Sequence, residues 1–404
     1  MIAARAALLM ALLVAAAPAR AQPADASDVA AALRAGVVAY RAGDLGTAEA
    51  ALRPLVPANA DAEAWLGAVL LDRGGRTREA VQALQHAANA GSAEGAHRLA
   101  LLYAQGADGL PHDDARALEL FEKAGATGHV RAEINAGMLY FYGRGTAKDL
   151  VKARAWLEKA AASNDPYALY ALGRAMEETQ GAALPDPVRA ADLYKRAALQ
   201  GHTFAALRYG LALAEGNGVR KDLVAAQPWL LYADKYGVPE ASLAMGDLAA
   251  STTNLRDKAG AIKILQTATT WYEAAASAGV AAAQFKLATA SLGGVGVARD
   301  PQQAMRWYLR AATQGMPVAQ HALALFLIGG AGGAPDLVEG YKWLLLAERS
   351  GFPDSQPVRE KMAGKIPDAD RKRAEALADQ FKPQPERPIE EIPPKLAPPP
   401  SIRP

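Results

Sequence analysis

One spacing constrains this chain more than any other property. A small residue, an apolar or aromatic residue four positions later, and then Gly or Ala recur along most of its length. The triplets run Ala62/Leu66/Gly67, Gly95/Leu99/Ala100, Ala132/Ala136/Gly137 and Ala168/Leu172/Gly173. They continue as Ala205/Tyr209/Gly210, Ala241/Met245/Gly246, Ala283/Leu287/Ala288 and Ala319/Leu323/Ala324, with Ser355 at the next small position. From Gly95 to Ser355 the first members are 37, 36, 37, 36, 42, 36 and 36 residues apart. Self-similarity at a fixed period of this size marks a solenoid, whose units bury their apolar faces only against their neighbours.

A second position keeps the same register. Twelve residues before each small anchor stand Leu120, Trp156, Leu193, Trp229, Trp271, Trp307 and Trp343, so five of the six tryptophans fall at equivalent places. They are expected to be core residues of a second helix; Trp65 is the exception and lies in a first helix. Each unit therefore reads as two helices. The first carries apolar residues at helical spacing, as in Ala132, Ala136, Leu139 and Tyr140. A glycine-rich break follows at Gly143-Arg-Gly145, Gly216-Asn-Gly218 and Gly293-Gly-Val-Gly296, supplying the positive-φ conformations that end a helix. Asp149, Asp222 and Asp300 then stand where an N-cap or first-turn acid belongs. A glycine closes the second helix at Gly128, Gly201, Gly237, Gly279, Gly315 and Gly351.

The unit resembles the Sel1-like repeat of the tetratricopeptide superfamily: A-x-x-x-L-G, a G-x-G-V loop, then D-x-x-x-A-x-x-W-Y-x-x-A-A-x-x-G. The match is closest from Ala283 to Gly315, through Gly294-Val-Gly-Val297, Asp300, Ala304, Trp307-Tyr308 and Ala311-Ala312. The resemblance implies an all-α, right-handed superhelical solenoid of helix-turn-helix repeats, about nine hairpins with caps. Residues Asp28 to Val56, and the shorter step of 33 from Ala62 to Gly95, look instead like the ordinary tetratricopeptide form. The expected organisation is a signal peptide over 1–21, tetratricopeptide-like repeats over 28–91 and Sel1-like repeats over 92–351. Capping helices over 352–381 and a Pro-rich disordered tail over 382–404 complete it. One unit departs from the rest: six extra residues near Ser251 to Lys258 imply a longer loop or an earlier start to the second helix.

The two ends bear on location. Arg5, the apolar run Ala6 to Ala17, Pro18 and Ala19-Arg20-Ala21 have the order of a secretory signal peptide, with cleavage before Gln22. No cysteine follows the apolar run, so no lipoprotein anchor is expected. The mature chain is then periplasmic or secreted. The chain has 44 basic and 42 acidic residues; removing Arg5 and Arg20 leaves 42 of each. A neutral chain lacks the basic field that drives nucleic-acid binding, so no nucleic-acid partner is expected. The absence of cysteine removes disulfides, thiolate metal sites and cysteine nucleophiles.

No catalytic constellation is legible. There is no P-loop, no dinucleotide fingerprint, no H-E-x-x-H and no G-x-S-x-G. The six histidines are scattered over different repeats, none at helical spacing from another; His97 and His321 share one repeat position, and His129 and His202 share another near a turn. That pattern favours repeat inheritance over ligation. No catalytic residue, no cofactor and no metal are expected, and the chain reads as a non-enzyme.

What remains is surface. If first helices line the concave side, as the resemblance implies, the positions one before and two, six and nine after each small anchor point there. In the central units these hold Arg131, Ile134, Met138 and Phe141; Tyr167, Tyr170, Arg174 and Glu177; Phe204, Leu207 and Leu211. Aromatic residues and arginine dominate interface hot spots. Either this row is an exposed binding groove or its members pack between adjacent repeats. The groove reading gives a scaffold or regulator that binds an envelope protein or peptide. The alternative is a binder of cell-wall peptidoglycan or exported polysaccharide, in which the same rings stack on sugars.

Overall fold

The computed structural model describes residues 26–387 except 108, 180, 182, 254–256 and 332. The signal-peptide reading of 1–21 lies outside the described residues. Among those described, every named element is a helix, and Ala107 and Leu110 form an isolated antiparallel bridge. The chain divides into two compact units, one ending at Asn135 and one beginning at Ala136.

The first unit holds α1 (Ala26–Arg41) with α2 (Leu45–Leu52), α3 (Ala60–Arg73) with α4 (Thr77–Asn89), and α5 (Ala93–Gln105) with α6 (Asp114–Gly125). Helix α7 (Val130–Tyr142) begins there, and its remainder opens the second unit with α8 (Leu150–Ala161). The pairs continue as α9 (Pro166–Glu177) with α10 (Pro187–Leu199), and α11 (Thr203–Glu215) with α12 (Leu223–Lys235). Next come α13 (Pro239–Ser251) with α14 (Lys258–Ser277), α15 (Ala281–Gly293) with α16 (Pro301–Thr313), and α17 (Pro317–Gly329) with α18 (Leu337–Arg349). Helices α19 (Ser355–Ala363) and α20 (Asp368–Asp379) end the described helices and pack on α18. Within each unit consecutive hairpins stack side by side, which is the solenoid arrangement the spacing calls for.

The helix starts follow local chemistry. Asp149, Asp222 and Asp300 each accept a backbone N–H from the first turn of α8, α12 and α16, satisfying donors that a helix start otherwise leaves open. Asp113, Asp186 and Asp336 do the same for α6, α10 and α18. In the irregular unit the extra residues extend the second helix: α14 has 20 residues against 13 for α16.

The glycines that end the triplets work by close approach. A Cβ added at Gly137 would stand 2.6 Å from Leu157, and one at Gly173 the same distance from Tyr194. The side chain that enters this gap lies one residue beyond the tryptophan position. Phe121, Leu157, Tyr194, Leu230, Tyr308 and Leu344 are all buried. The tryptophans themselves are not uniformly core, which corrects the sequence expectation. Trp229 and Trp343 are buried, whereas Trp156, Trp271 and Trp307 are half-buried at the flank of the same face. Trp343 is covered because Phe381 packs edge-on against it at 5.4 Å, and Trp229 because Tyr209 does so at 5.2 Å. On Trp307 the cover is the Arg310 guanidinium, 4.6 Å above the ring.

The Pro-rich segment also differs from a free tail over its first residues. Gln384 N–H donates to the Thr313 carbonyl at 2.9 Å. The Glu386 carboxylate receives Arg310 at 2.8 and 2.5 Å and Gln284 Nε2 at 2.9 Å. Arg387 pairs with Glu240. An extended proline-containing strand keeps its backbone groups free for such contacts, so lack of helix is not lack of order. Residues 388–404 lie outside the described residues.

Candidate functional site

The central row does not form an open groove. Ile134, Met138, Phe141, Tyr170 and Leu207 are buried; Tyr167, Arg174 and Phe204 are half-buried; Arg131 is exposed. The reason is the stacking of successive first helices. Tyr170 stacks on His202 with ring centroids 4.4 Å apart and lies 6.4 Å from Phe204. Arg174 spreads over the Phe141 ring at 5.2 Å and donates to Tyr142 Oη at 2.8 Å. These side chains form the seam between repeats, and the packed reading of the row is the one the structure favours.

Open concave surface lies instead in the first unit. A cleft of about 570 Å³ is lined by α1, α3, α5 and the turn into α7. Its aromatic wall is Tyr40 and Trp65, packed edge-to-face at 5.4 Å. The Arg98 guanidinium covers the Trp65 ring at 4.2 Å and approaches Tyr40 at 5.4 Å. Arg41 lies 5.8 Å from the Trp65 centroid and, like Arg131 across the cleft, is exposed. Stacked guanidinium over indole leaves the charge accessible while shielding the ring.

The floor is a polar cluster. Glu94 Oε1 accepts from Arg98 Nε at 2.5 Å, and Oε2 is 3.1 Å from His129 Nε2. Burial works to raise the Glu94 carboxyl, but the hydrogen bond to His129 and the Arg98 charge outweigh it and hold it down at about 2. His129 Nδ1 accepts the Ala132 N–H at 3.2 Å, as an N-cap of α7. His97, stacked on His129 at 4.6 Å, is pushed down to about 3 by burial first and by His129 second, and is therefore neutral at pH 7. One donor atom from each of Glu94, His97 and His129 lies within 4.8 Å of the others.

The cluster brings together two of the histidines that the sequence scatters over different repeats. His97 and His129 are separated in sequence but occupy adjoining places in neighbouring repeats, and stacking brings their rings together. The signal was available: Glu94, His97 and Leu101 sit one before, two after and six after Gly95, the same positions that define the central row. The rule applied one repeat further toward the N-terminus selects them. Trp65 and Tyr40 do not follow it, because α1 and α3 belong to hairpins of the shorter form.

Comparison with known proteins agrees with this architecture. The Sel1 repeat family matches residues 93–129, 130–165, 166–202, 203–233, 265–280, 281–316 and 317–352. A Sel1 repeat protein from Oxalobacter formigenes is similar in structure, with TM-score 0.57 and 26% identity over 77% of this chain and 89% of its own. A protective antigen of uropathogenic Escherichia coli with an SLR fold has TM-score 0.51 and 23% identity, covering 88% of this chain and 84% of its own, and speaks to fold alone. The ERAD-associated E3 ubiquitin-protein ligase component HRD3B of Arabidopsis thaliana is 37% identical over 103 residues, which is 26% of this chain and only 16% of that protein. On the matched repeats and the hairpins they form, this chain belongs to the Sel1 repeat family.

Proposed function

We propose that this chain is a non-enzymatic scaffold of the bacterial cell envelope that holds an acidic segment of a partner protein in the cleft of its first unit. Sel1 repeats generally mediate protein–protein interaction and form scaffolds that are generally non-enzymatic. The observation that carries the reading is the pairing of an aromatic wall with exposed Arg41 and Arg131 around one internally matched carboxylate. Arg98 and Glu94 satisfy each other, so the charge offered outward is positive and suits Asp or Glu flanking an apolar side chain. Aromatic and arginine anchors of this kind dominate binding energy at interfaces. Export rests on Arg5, the apolar run to Ala17 and the Ala19-Arg20-Ala21 site; no helix among the described residues is long and apolar enough to cross a membrane.

The glycan reading is the weaker one here, because sugar stacking needs an open ring face and Arg98 already covers that of Trp65. The test is site-specific photocrosslinking in intact cells, with the crosslinker at Arg41, Arg131, Tyr167 or Phe204. Adducts to one protein from the first two positions, weakened about 30-fold or more by Trp65→Ala with Arg98→Ala, are expected for lost hot spots. Adducts only from Tyr167 and Phe204 would return the partner to the central seam. Co-sedimentation with purified cell wall, without protein adducts, would move the assignment to glycan. Export is checked separately by sequencing the N-terminus of the chain recovered from the periplasm, where Gln22 is the expected first residue.

A further inference from the structure

We propose that Glu94, His97 and His129 form a binding site for a nitrogen-preferring dication, Zn2+ foremost. It is a separate statement from the peptide reading and does not rest on it. Three donors already stand within 4.8 Å of one another. Zn2+ with nitrogen and oxygen ligands at about 2.0–2.2 Å needs donors roughly 3.3 Å apart, so binding would draw the three side chains closer by up to about 1.5 Å.

A second observation points the same way. His97 is 7% exposed, and its Nδ1 is buried with no hydrogen-bond partner. Its other nitrogen, Nε2, lies 3.3 Å from the Asn135 side-chain amide. With that amide turned so that its oxygen accepts an Nε2–H, the Nδ1 lone pair is left for a cation. Asn135 then orients the ligand from outside, as Arg98 does for Glu94 through Oε1. Glu94 Oε2 and His129 Nε2 already face each other at 3.1 Å. Because His129 Nδ1 accepts the Ala132 N–H, its proton sits on Nε2 and is shared with Glu94. A cation on Nε2 would require that proton to move to Nδ1, which gives up the bond from the Ala132 N–H; that N–H would keep the His129 carbonyl at 2.9 Å.

The cluster is peculiar to this place in the repeat series. His202, equivalent to His129, also caps its helix through Nδ1, but its neighbour is the Tyr170 ring. His321, equivalent to His97, meets Ser355 Oγ at 2.9 Å. Arg98 and Arg131 oppose added positive charge, so affinity comes from the nitrogen donors, which favours Zn2+ over Mg2+ or Ca2+. The cleft leaves the remaining coordination positions accessible.

The test uses the full chain, stripped with a chelator and titrated calorimetrically with Zn2+ alone. Saturation near one equivalent is expected, with Mg2+ giving no heat. His97→Ala and Glu94→Gln should each weaken binding at least tenfold, while the exposed histidines changed together (His86→Ala with His112→Ala) leave it intact. If His97→Ala loses its helical circular dichroism, Glu94→Gln, which preserves volume, decides the affinity arm. Visible absorption of the Co2+ form of the unmodified chain gives an independent reading, since intense bands mark a four- or five-coordinate site without an inversion centre, unlike the pale octahedral aquo ion. No saturable binding at micromolar Zn2+, or binding that survives His97→Ala and Glu94→Gln but vanishes with His86 and His112, overturns the proposal.

Discussion

Two glycines of similar conformation should respond very differently to alanine. Gly218 lies in the loop between α11 and α12 with φ +73°, and Gly237 closes α12 with φ +85°. A Cβ at Gly237 would meet nothing within 4 Å, whereas one at Gly218 would stand 1.9 Å from the Pro187 carbonyl oxygen and 2.3 Å from its carbon. Both substitutions incur the left-handed penalty of roughly 1–2 kcal/mol. Only Gly218→Ala must also push the loop off the first turn of α10 by more than an ångström, which adds roughly 1–3 kcal/mol of overpacking. Gly237→Ala should therefore cost about 1–2 kcal/mol and Gly218→Ala roughly 2–5 kcal/mol. Because stability in a solenoid is a sum of hairpin and interface terms, the second loss falls on the interface between adjacent hairpins. Urea unfolding followed by far-ultraviolet circular dichroism reads the total, and amide exchange in α10 and α11 reads its location. Equal midpoints for the two variants, or exchange that rises in α12 alone, would refute the claim that the second glycine of the loop is a docking point between repeats.

Two further outcomes follow from the second unit. His202 is fully buried, caps Ala205 through Nδ1, and is pushed by burial from 6.5 to about 3. The unfolded chain therefore takes up its proton first as pH falls, and the stability it confers above pH 6.5 is lost below that value; at about pH 5 the loss is about 2 kcal/mol. His202→Asn, which keeps a capping oxygen, should flatten the dependence of the unfolding midpoint between pH 7 and 5 by that amount, and an unchanged slope would remove the assignment. Arg310→Ala should free the segment from Lys382 to Arg387, since it removes both guanidinium bonds to Glu386; faster proteolysis at Lys382 with unchanged helicity is the expected reading, and equal cleavage rates would show that the segment is held by other contacts.

Much of the fold was legible because its determinants are local. The aspartates that cap α8, α12 and α16 and the glycines that end the helices act within a few residues of where they stand, and a sequence displays such information directly. The glycines that end the triplets were legible too, since close approach of two helices demands a missing side chain at a fixed place. The tryptophan positions were misjudged by one residue: helical spacing places Trp156 and Leu157 near the same face, and only the approach of α7 decides that Leu157 enters the gap.

The candidate site marks the boundary between the two kinds of information. By itself the sequence determined the repeat, its two helices, their ends and the identity of the side chains on each face. What it left open was cover. Tyr170 and His97 occupy equivalent places, two residues after a small anchor, and both are buried, yet one packs against His202 and Phe204 while the other packs beside His129 and Glu94 in the wall of a cleft. A helix's period says which residues share a face. Whether a neighbour's ring, a guanidinium or water covers that face depends on side chains about a repeat away in sequence, and that was settled only when the hairpins stacked.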